Sequence, residues 1–293
     1  MVDAKPLELP AKRGTVPGRM ADSPPPPAPP GPPGAVPPDP GASSLGTGSP
    51  APRSNRVNQR IYPYRTNGKV FFAAPSGGGG LDEFVCSATV VASPSKSTVV
   101  TAGHCVMGAH GWAKKWIFVP GYCGACAKRR RAPYGRFPFR RLFTTALWAK
   151  NHECQCAFAG DIGMVRLARN ARGKKVERLV GAMGIAWNQG YNQHFHAFGY
   201  PAEKIPGVAY NGCCLFEADG WYESYESSEY GGPGAYTIAM APNDMSGGSS
   251  GGGWLIAGGY LNGLNSYGYN GDNYRQYSPY YGPLAKDLYE YAN

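Results

Sequence analysis

Three short strings of the chain carry residue types that can act together in acyl transfer. His104 lies in TAGHC, Asp161 in AGDIGMVRL and Ser250 in NDMSGGSSGGGW. A histidine can serve as a general base, an aspartate can orient it, and a serine can attack a carbonyl carbon. We therefore interpret His104, Asp161 and Ser250 as a candidate catalytic triad.

Glycines surround Ser250 at fixed offsets, in the string GSSGG of residues 248–252. A flexible loop is the simplest interpretation of such a string. Here, however, it leads directly into the apolar residues 254–256, which is typical of a tight turn that enters a strand. A turn of this kind can point two backbone amides at one spot. We expect the amides of Gly248 and Ser250 to form an oxyanion hole.

Each residue is ambiguous when it is taken alone. His104 closes one apolar run and Asp161 directly precedes another, and both positions are more often structural than catalytic. Two other aspartates lie between His104 and Ser250. Asp219 is in a turn-like ADGW, and Asp244 is too close to the serine to orient a distant histidine. Asp161 is therefore the best candidate for the carboxylate.

Chain order excludes one class of hydrolase. The string GSSGG also fits the GxSxG pattern of α/β-hydrolases, in which the histidine follows the serine. All five histidines of this chain precede Ser250: His104, His110, His152, His194 and His196. The order histidine, aspartate, serine is that of chymotrypsin.

From about Arg60 to Asn293 the chain resembles a chymotrypsin-like serine protease of the secreted bacterial branch that includes the glutamyl endopeptidases. The motifs that carry the resemblance are CSATVV, VVTAGHCV, DIGMVRL, GYP, GGSSGG and NSYG. The resemblance implies an all-β chain of two six-stranded antiparallel barrels, with the site in the cleft between them. It also implies that the substrate is a protein or peptide and that no metal or organic cofactor is needed.

The pattern of the residues agrees with that fold. Short β-branched and aromatic runs alternate with glycine-rich turns, which indicates strands, and only the end of the chain is typical of a helix. Residues 283–291 (PLAKDLYEY) place two leucines at helical spacing. We expect a short helix there, docked on the second barrel.

The resemblance also suggests where the substrate binds. NSYG resembles the strand that pairs with the substrate backbone, and it comprises Asn265, Ser266, Tyr267 and Gly268. Asp244 occupies the place where trypsin-like enzymes have the acid that binds arginine or lysine. If its carboxylate faces the pocket, a basic residue is preferred, which is the interpretation that we favour; if it turns inward, it braces the loop. Glutamate preference is unsupported, because Asn265 stands where glutamyl endopeptidases usually have a histidine.

One departure from the digestive-type enzymes concerns activation. Ser249 stands where those enzymes have the aspartate that pairs with a newly cut amino terminus. We therefore do not expect activation through that ion pair.

Eight cysteines indicate an oxidising compartment. The resemblance implies a disulfide between Cys86 and Cys105, which would tie the histidine loop to the preceding strand. The other cysteines favour disulfides over a zinc site of four thiolates, but the sequence does not determine how they pair. They are Cys123, Cys126, Cys154, Cys156, Cys213 and Cys214.

Proline divides the chain into two parts, because 16 of the 28 prolines precede Arg60. We predict that residues 1–59 form a disordered leader, linker or pro-segment, and that residues 60–293 form one protease domain. The first 20 residues contain no apolar signal region, and no apolar run is long enough to span a membrane. The cysteines and the resemblance nevertheless favour a secreted protein; an intracellular enzyme with reduced cysteines is the alternative.

Three features have no place in the triad. The net charge of +10 includes the run from Lys128 to Arg131, which we interpret as a solvated loop, so no nucleic-acid partner is expected. His194 and His196 share one strand face and could bind a metal, but the sequence shows no third ligand. Many tyrosines lie between Tyr260 and Tyr281. An inactive protease-like binding module, using the basic loop or the tyrosines, is the alternative function.

Overall fold

The computed structural model describes residues 5–6, 53–152, 155–227 and 235–293. In chain order its strands are β1 (Lys5–Pro6), β2 (Ser54–Arg56), β3 (Asn67–Pro75), β4 (Leu81–Val91), β5 (Thr98–Thr101), β6 (Met107–Gly108), β7 (Gly111–Trp112), β8 (Lys114–Pro120), β9 (Phe137–Thr144), β10 (Gly163–Leu167), β11 (Gly184–Ile185), β12 (His194–Gly199), β13 (Phe216–Ser227), β14 (Tyr236–Ala241), β15 (Gly253–Ile256), β16 (Tyr260–Leu264) and β17 (Gln276–Pro279). Its α-helices are α1 (Ala146–Asn151), α2 (Glu177–Val180) and α3 (Pro283–Ala292).

Six antiparallel strands form the first barrel, in the order β4-β3-β8-β9-β10-β5, and β5 pairs again with β4 to close it. The two-residue β1 pairs parallel to β4. The strands are rich in valine and phenylalanine, which suit a pleated surface buried on one face. Their buried side chains include Val70, Val90, Val99, Trp116, Phe118 and Met164. Closure leaves the barrel without free edges, so its strand ends are held in place.

The second sheet has the order β11-β16-β15-β12-β13-β14-β17, and β2 pairs with the first part of β13. A bridge between Tyr267 and Tyr277 connects the chain after β16 to β17, which curves the sheet back on itself. Phe195, Ile238 and Trp254 lie in its core. The predicted all-β fold with two barrels and a carboxyl-terminal helix is confirmed.

The helices differ from the prediction in two respects. α3 does begin at Pro283, but it docks on the first barrel rather than the second: Arg166 donates to the carbonyl of Ala292, and Thr98 Oγ1 bonds to Asn293 Oδ1 at 2.6 Å. The short helices α1 and α2 were not expected. α1 has only six residues, too few for a periodic pattern, and begins where Thr145 Oγ1 accepts a bond from the amide of Trp148.

β2 lies within residues 1–59, the predicted leader, and it pairs with the second barrel. Arg56 stands opposite Phe216, and Ser54 is buried. The string SNR has no apolar alternation, so its strand forms because β13 offers an edge there. Residues 1–4 and 7–52 of the predicted leader lie outside the described residues.

Lys69 links the first barrel to the connection between β12 and β13. Its ammonium group donates to the carbonyl of Gly212 at 2.8 Å and lies 5.5 Å from the ring centres of Phe71 and Tyr122. The residue is only 6% exposed. Burial lowers the pKa of Lys69 to about 8, because the charged form loses its hydration.

This shift predicts a pH-dependent stability difference between the wild type and Lys69→Met. The unfolded chain holds the proton up to about pH 10.5, whereas the folded chain releases it near pH 8, so the lysine favours folding more as the pH rises through this window. Between pH 8 and pH 10.5, the free energy of unfolding of the wild type should rise by up to about 3 kcal/mol relative to that of the variant. Denaturant unfolding of both proteins at several pH values measures the difference; parallel pH curves would contradict the prediction.

Candidate active site

His104 and Asp161 meet because their strands are neighbours. His104 follows β5 in a single 3-10 turn, Asp161 precedes β10, and Gly163 pairs with Thr101. The backbone amide of His104 donates to Asp161 Oδ1 at 2.8 Å, and its Nδ1 lies 2.8 Å from Oδ2. Asp161 is fully buried and His104 is 9% exposed. The carboxylate therefore holds the histidine through its backbone and its ring at once.

Ser266 adds a third hydrogen bond to this carboxylate. Its hydroxyl donates to Asp161 Oδ2 at 2.6 Å, and the residue is fully buried. Ser266 was predicted to contact substrate, but its side chain is committed to the aspartate. This contact could not be predicted from local sequence patterns, because the two residues are 105 positions apart.

Ser250 lies in the loop between β14 and β15. Glycine is required within this loop at two places with positive φ: Gly248 at 94° and Gly251 at 80°. At Gly248 a Cβ would also lie 2.9 Å from the carbonyl oxygen of Tyr200. Ser250 itself is fully buried. The glycine string is thus a compact turn, as expected, and not an extended flexible loop.

Ser249 closes this turn with its side chain. Its hydroxyl donates to the carbonyl of Ser246 at 2.7 Å, and its amide donates to the same oxygen at 3.1 Å. Ser249 stands where digestive-type enzymes have an aspartate. In this chain, two local hydrogen bonds from Ser249 hold the turn at that position.

Two side-chain atoms at this site have no hydrogen-bond partner among the described residues. They are His104 Nε2 and Ser250 Oγ, and both are buried. A buried nitrogen or hydroxyl normally forms a hydrogen bond, so such an atom calls for an explanation. A catalytic role explains the missing partners, because catalytic hydrogen bonds often tighten only when substrate is bound.

Ser87 connects the first barrel to the Ser250 loop, and sequence reasoning missed it. Its hydroxyl donates to the carbonyl of Gly248 at 3.0 Å and accepts from the amide of Tyr200 at 2.9 Å. Its own amide donates to the carbonyl of Ser250 at 2.7 Å. Two of these bonds hold the Ser250 loop, and the third holds Tyr200 at the end of β12. The only available signal was its place beside Cys86.

Ser87→Ala should lower kcat about tenfold with a smaller change in KM. The change leaves the carbonyl of Gly248 and the amide of Tyr200 buried without this partner, at a cost of about 1–3 kcal/mol each, and frees the loop to shift. Steady-state kinetics on a peptide substrate measures both constants. Ser97→Ala, another buried serine of the first barrel, is the matched control; equal kcat for the two variants would argue against a positioning role.

Asp244 is 5% exposed, and both of its oxygens are occupied. Oδ2 accepts from the amide of Arg53 at 2.7 Å, and Oδ1 accepts from the hydroxyl of Tyr210 at 2.9 Å. Burial, helped by the nearby carboxylate, raises the pKa of Tyr210, so the tyrosine stays a hydrogen-bond donor. This geometry matches the inward, bracing alternative and not a carboxylate that faces a substrate.

The predicted pocket wall is largely turned into the protein. Asn265 is fully buried: its amide nitrogen donates to the carbonyl of Phe198, and its oxygen accepts from the indole of Trp254. Tyr267 is also fully buried and stacks on Phe158 at 4.3 Å. Gly268 is the partly exposed member of the string. Apart from Gly268, the wall residues have side chains that pack inside the chain.

Disulfides join the cysteines of the described residues. Cys86 is bonded to Cys105, which attaches the turn of His104 to β4. The sequence left two further bonds open: Cys123–Cys126 and the adjacent Cys213–Cys214. Cys156 is also disulfide-bonded, and Cys154 lies outside the described residues. Cys123 and Cys126 are thus committed to a bond and not to a zinc site.

The basic run forms a 3-10 turn, Lys128–Arg130, which is exposed. Lys128 and Arg129 of this turn line an open cavity of about 610 Å³ together with Arg136 and Arg172. None of the proposed catalytic residues lines this cavity. Among the described residues, no helix is long and apolar enough to cross a lipid bilayer.

Comparison with known proteins gives the family. No protein-family model matches the chain, and no curated protein sequence does. Among solved structures, the protease Anisep from Arthrobacter nicotinovorans is 32% identical, with a TM-score of 0.66 over 82% of this chain and 98% of that one. A thermostable serine protease, AL20, from an extremophilic microorganism is 34% identical, with a TM-score of 0.63 over 78% and 96%.

A more distant structure, a Glu endopeptidase, is 18% identical with a TM-score of 0.59 over 82% of this chain and 95% of that one, and it supports the fold alone. The chain belongs to the chymotrypsin-like family of serine endopeptidases.

Proposed function

We propose that this chain hydrolyses peptide bonds through His104, Asp161 and Ser250. The observation that carries the proposal is the buried pair of His104 and Asp161, with Nδ1 2.8 Å from Oδ2, together with two buried atoms, His104 Nε2 and Ser250 Oγ, that have no hydrogen-bond partner among the described residues. That contact fixes the tautomer in which Nε2 can accept a proton. His104 and Ser250 thereby each offer one side-chain atom, unbonded within the described residues, to the reaction.

In the proposed mechanism, Ser250 Oγ attacks the substrate carbonyl while His104 Nε2 takes its proton. Asp161 stabilises the resulting imidazolium, and the amides of Gly248 and Ser250 receive the negative oxygen. His104 then returns the proton to the leaving amine. Water, activated by the same histidine, hydrolyses the acyl-enzyme. The amide of Gly248 belongs to the same peptide group as the carbonyl of Gly247, which accepts a bond from the amide of Ala202 at 2.7 Å, and this bond supports its orientation.

The substrate's proposed contacts are with backbone groups of residues 266–268, since the side chains of Ser266 and Tyr267 are buried. We propose secretion for this enzyme on the basis of its disulfides. Residues 1–59 are proposed to act as a leader, linker or pro-segment, because their proline content disfavours a core of their own.

Labelling with a fluorophosphonate, which forms a covalent bond to an activated serine, tests the function. Because Ser250 is closed to solvent, the reaction of the full chain is followed over hours and the modified peptide is mapped. Modification at Ser250 is expected. A chain that stays unlabelled while a known serine protease reacts in the same tube would instead favour the inactive binding module.

Asp244→Asn should lower stability and reduce activity on all substrates alike. One of its two donors, the amide of Arg53 or the hydroxyl of Tyr210, would face an amide NH₂ instead of an oxygen and lose a buried bond worth about 1–3 kcal/mol. Thermal unfolding and profiling on one peptide library measure both effects, with the exposed Asp287→Asn as control. If only cleavage after arginine and lysine is lost, Asp244 binds basic substrate residues as in trypsin, and the bracing role is wrong.

A further inference from the structure

Two histidines and a carboxylate come together on the outer face of the second barrel. His194 and His196 are two residues apart on β12, so their side chains share one face, and their ring centres are 4.9 Å apart. β13 runs antiparallel beside them, with Asp219 directly opposite His196. Asp219 Oδ1 contacts His194 Nε2 across the strands. The pairing of the strands thus supplies the third ligand that the sequence did not show.

The spacing of these groups suits a transition-metal ion. Ligand atoms of His194, His196 and Asp219 all lie within 4.8 Å of one another. In a tetrahedral zinc site with ligand distances near 2.0–2.1 Å, neighbouring ligand atoms are about 3.3 Å apart. The side chains of His194, His196 and Asp219 are 36%, 41% and 60% exposed. Small rotations of these side chains can therefore bring the ligand atoms to the spacing of a zinc site.

Neighbouring residues hold the two imidazoles in place. Glu217 Oε1 lies 2.9 Å from His196 Nδ1, and the hydroxyl of Tyr64 donates to Oε2 of the same glutamate. A carboxylate behind a histidine is the arrangement that commonly orients zinc ligands, because it fixes the tautomer that leaves the other nitrogen free. Trp221 stacks on His194 with ring centres 4.5 Å apart.

We propose that His194, His196 and Asp219 bind one Zn²⁺ ion, with Glu217 orienting His196. Imidazole and carboxylate together form a donor set that zinc accepts, whereas calcium and magnesium take oxygen ligands. The ion would cross-link β12 to β13 beside the position where β2 pairs with β13. Three protein ligands leave one coordination position of this zinc for water, and the ion takes no part in the proposed peptide hydrolysis.

A zinc titration of the full chain, stripped with EDTA and exchanged into metal-free buffer at pH 7.5, tests the site. A chromogenic chelator competes for ZnCl₂ in wild type, in the double variant His194→Gln/His196→Gln, and in the control His110→Gln/His152→Gln. Wild type and control should bind one ion with micromolar affinity or better, and the double variant at least about tenfold more weakly. Equal affinity in all three proteins, or no binding by wild type, would overturn the proposal.

Thermal unfolding gives an independent readout. Zinc should raise the Tm of wild type and control but not of the double variant, since a ligand stabilises the state that binds it. Calcium should not raise it. If the double variant is misfolded by circular dichroism, Asp219→Asn replaces it, because this exposed aspartate contributes little to packing. A zinc-dependent rise in Tm that persists in Asp219→Asn would contradict the assigned ligands. Zinc binding at His104 would be the same in every variant, so it can be told apart from binding at His194, His196 and Asp219.

Discussion

Ser250→Ala should lower kcat/KM for peptide hydrolysis by about 10⁴- to 10⁶-fold and leave the fold intact. The hydroxyl is the proposed nucleophile, and no other described group can replace its attack on the carbonyl. Its oxygen forms no hydrogen bond within the described residues, so its removal leaves no partner unsatisfied. Steady-state hydrolysis of a peptide library measures the loss, and denaturant unfolding checks the fold.

The chain provides a closely matched control in the adjacent Ser249. It is equally buried, but its hydroxyl bonds to the carbonyl of Ser246 and not to a catalytic group. Ser249→Ala should therefore keep most of the activity and lose about 1 kcal/mol of stability. If Ser250→Ala hydrolyses peptides as fast as Ser249→Ala, Ser250 is not the nucleophile.

Asp161→Asn should lower kcat by about 10⁴-fold with little structural change. The asparagine oxygen can keep the bond from the backbone amide of His104, but its NH₂ group would then face His104 Nδ1 and Ser266 Oγ. An NH₂ that donates to Nδ1 forces the proton of the neutral imidazole onto Nε2. The histidine then cannot take the proton of Ser250 at neutral pH.

Asp82→Asn serves as the control, because this aspartate is exposed on β4 of the same barrel. Its kcat should equal that of wild type. The fluorophosphonate provides a second measurement, since its reaction with Ser250 also depends on the histidine; the rate should fall in Asp161→Asn alone. A kcat within tenfold of wild type for Asp161→Asn would remove this residue from the proposed triad.

The local features of the site could be predicted from the sequence. Glycines around Ser250 indicated a tight turn, because only they accept positive φ freely, and the structure places positive φ at Gly248 and Gly251. Apolar runs beside His104 and Asp161 indicated strand ends, and chain order separated this family from the α/β-hydrolases. Each of these inferences depends on neighbours along the chain. The catalytic roles of these residues remain predictions.

Contacts between distant strands could not be predicted, and they determine the orientation of polar side chains. Ser266 turned to Asp161, Asp244 turned inward to Arg53 and Tyr210, and α3 docked on the first barrel. A buried polar group must find a partner, and which partner is available depends on packing that a local pattern does not encode.

The histidines of β12 illustrate the same limit. Their shared face followed from the two-residue period of a strand, which the sequence determines by itself. Asp219, 23 positions beyond His196, became their neighbour only through the register of β12 with β13. Strand register is set by the whole sheet and by the burial of one face, so the tertiary structure alone decided which carboxylate stands beside the two imidazoles.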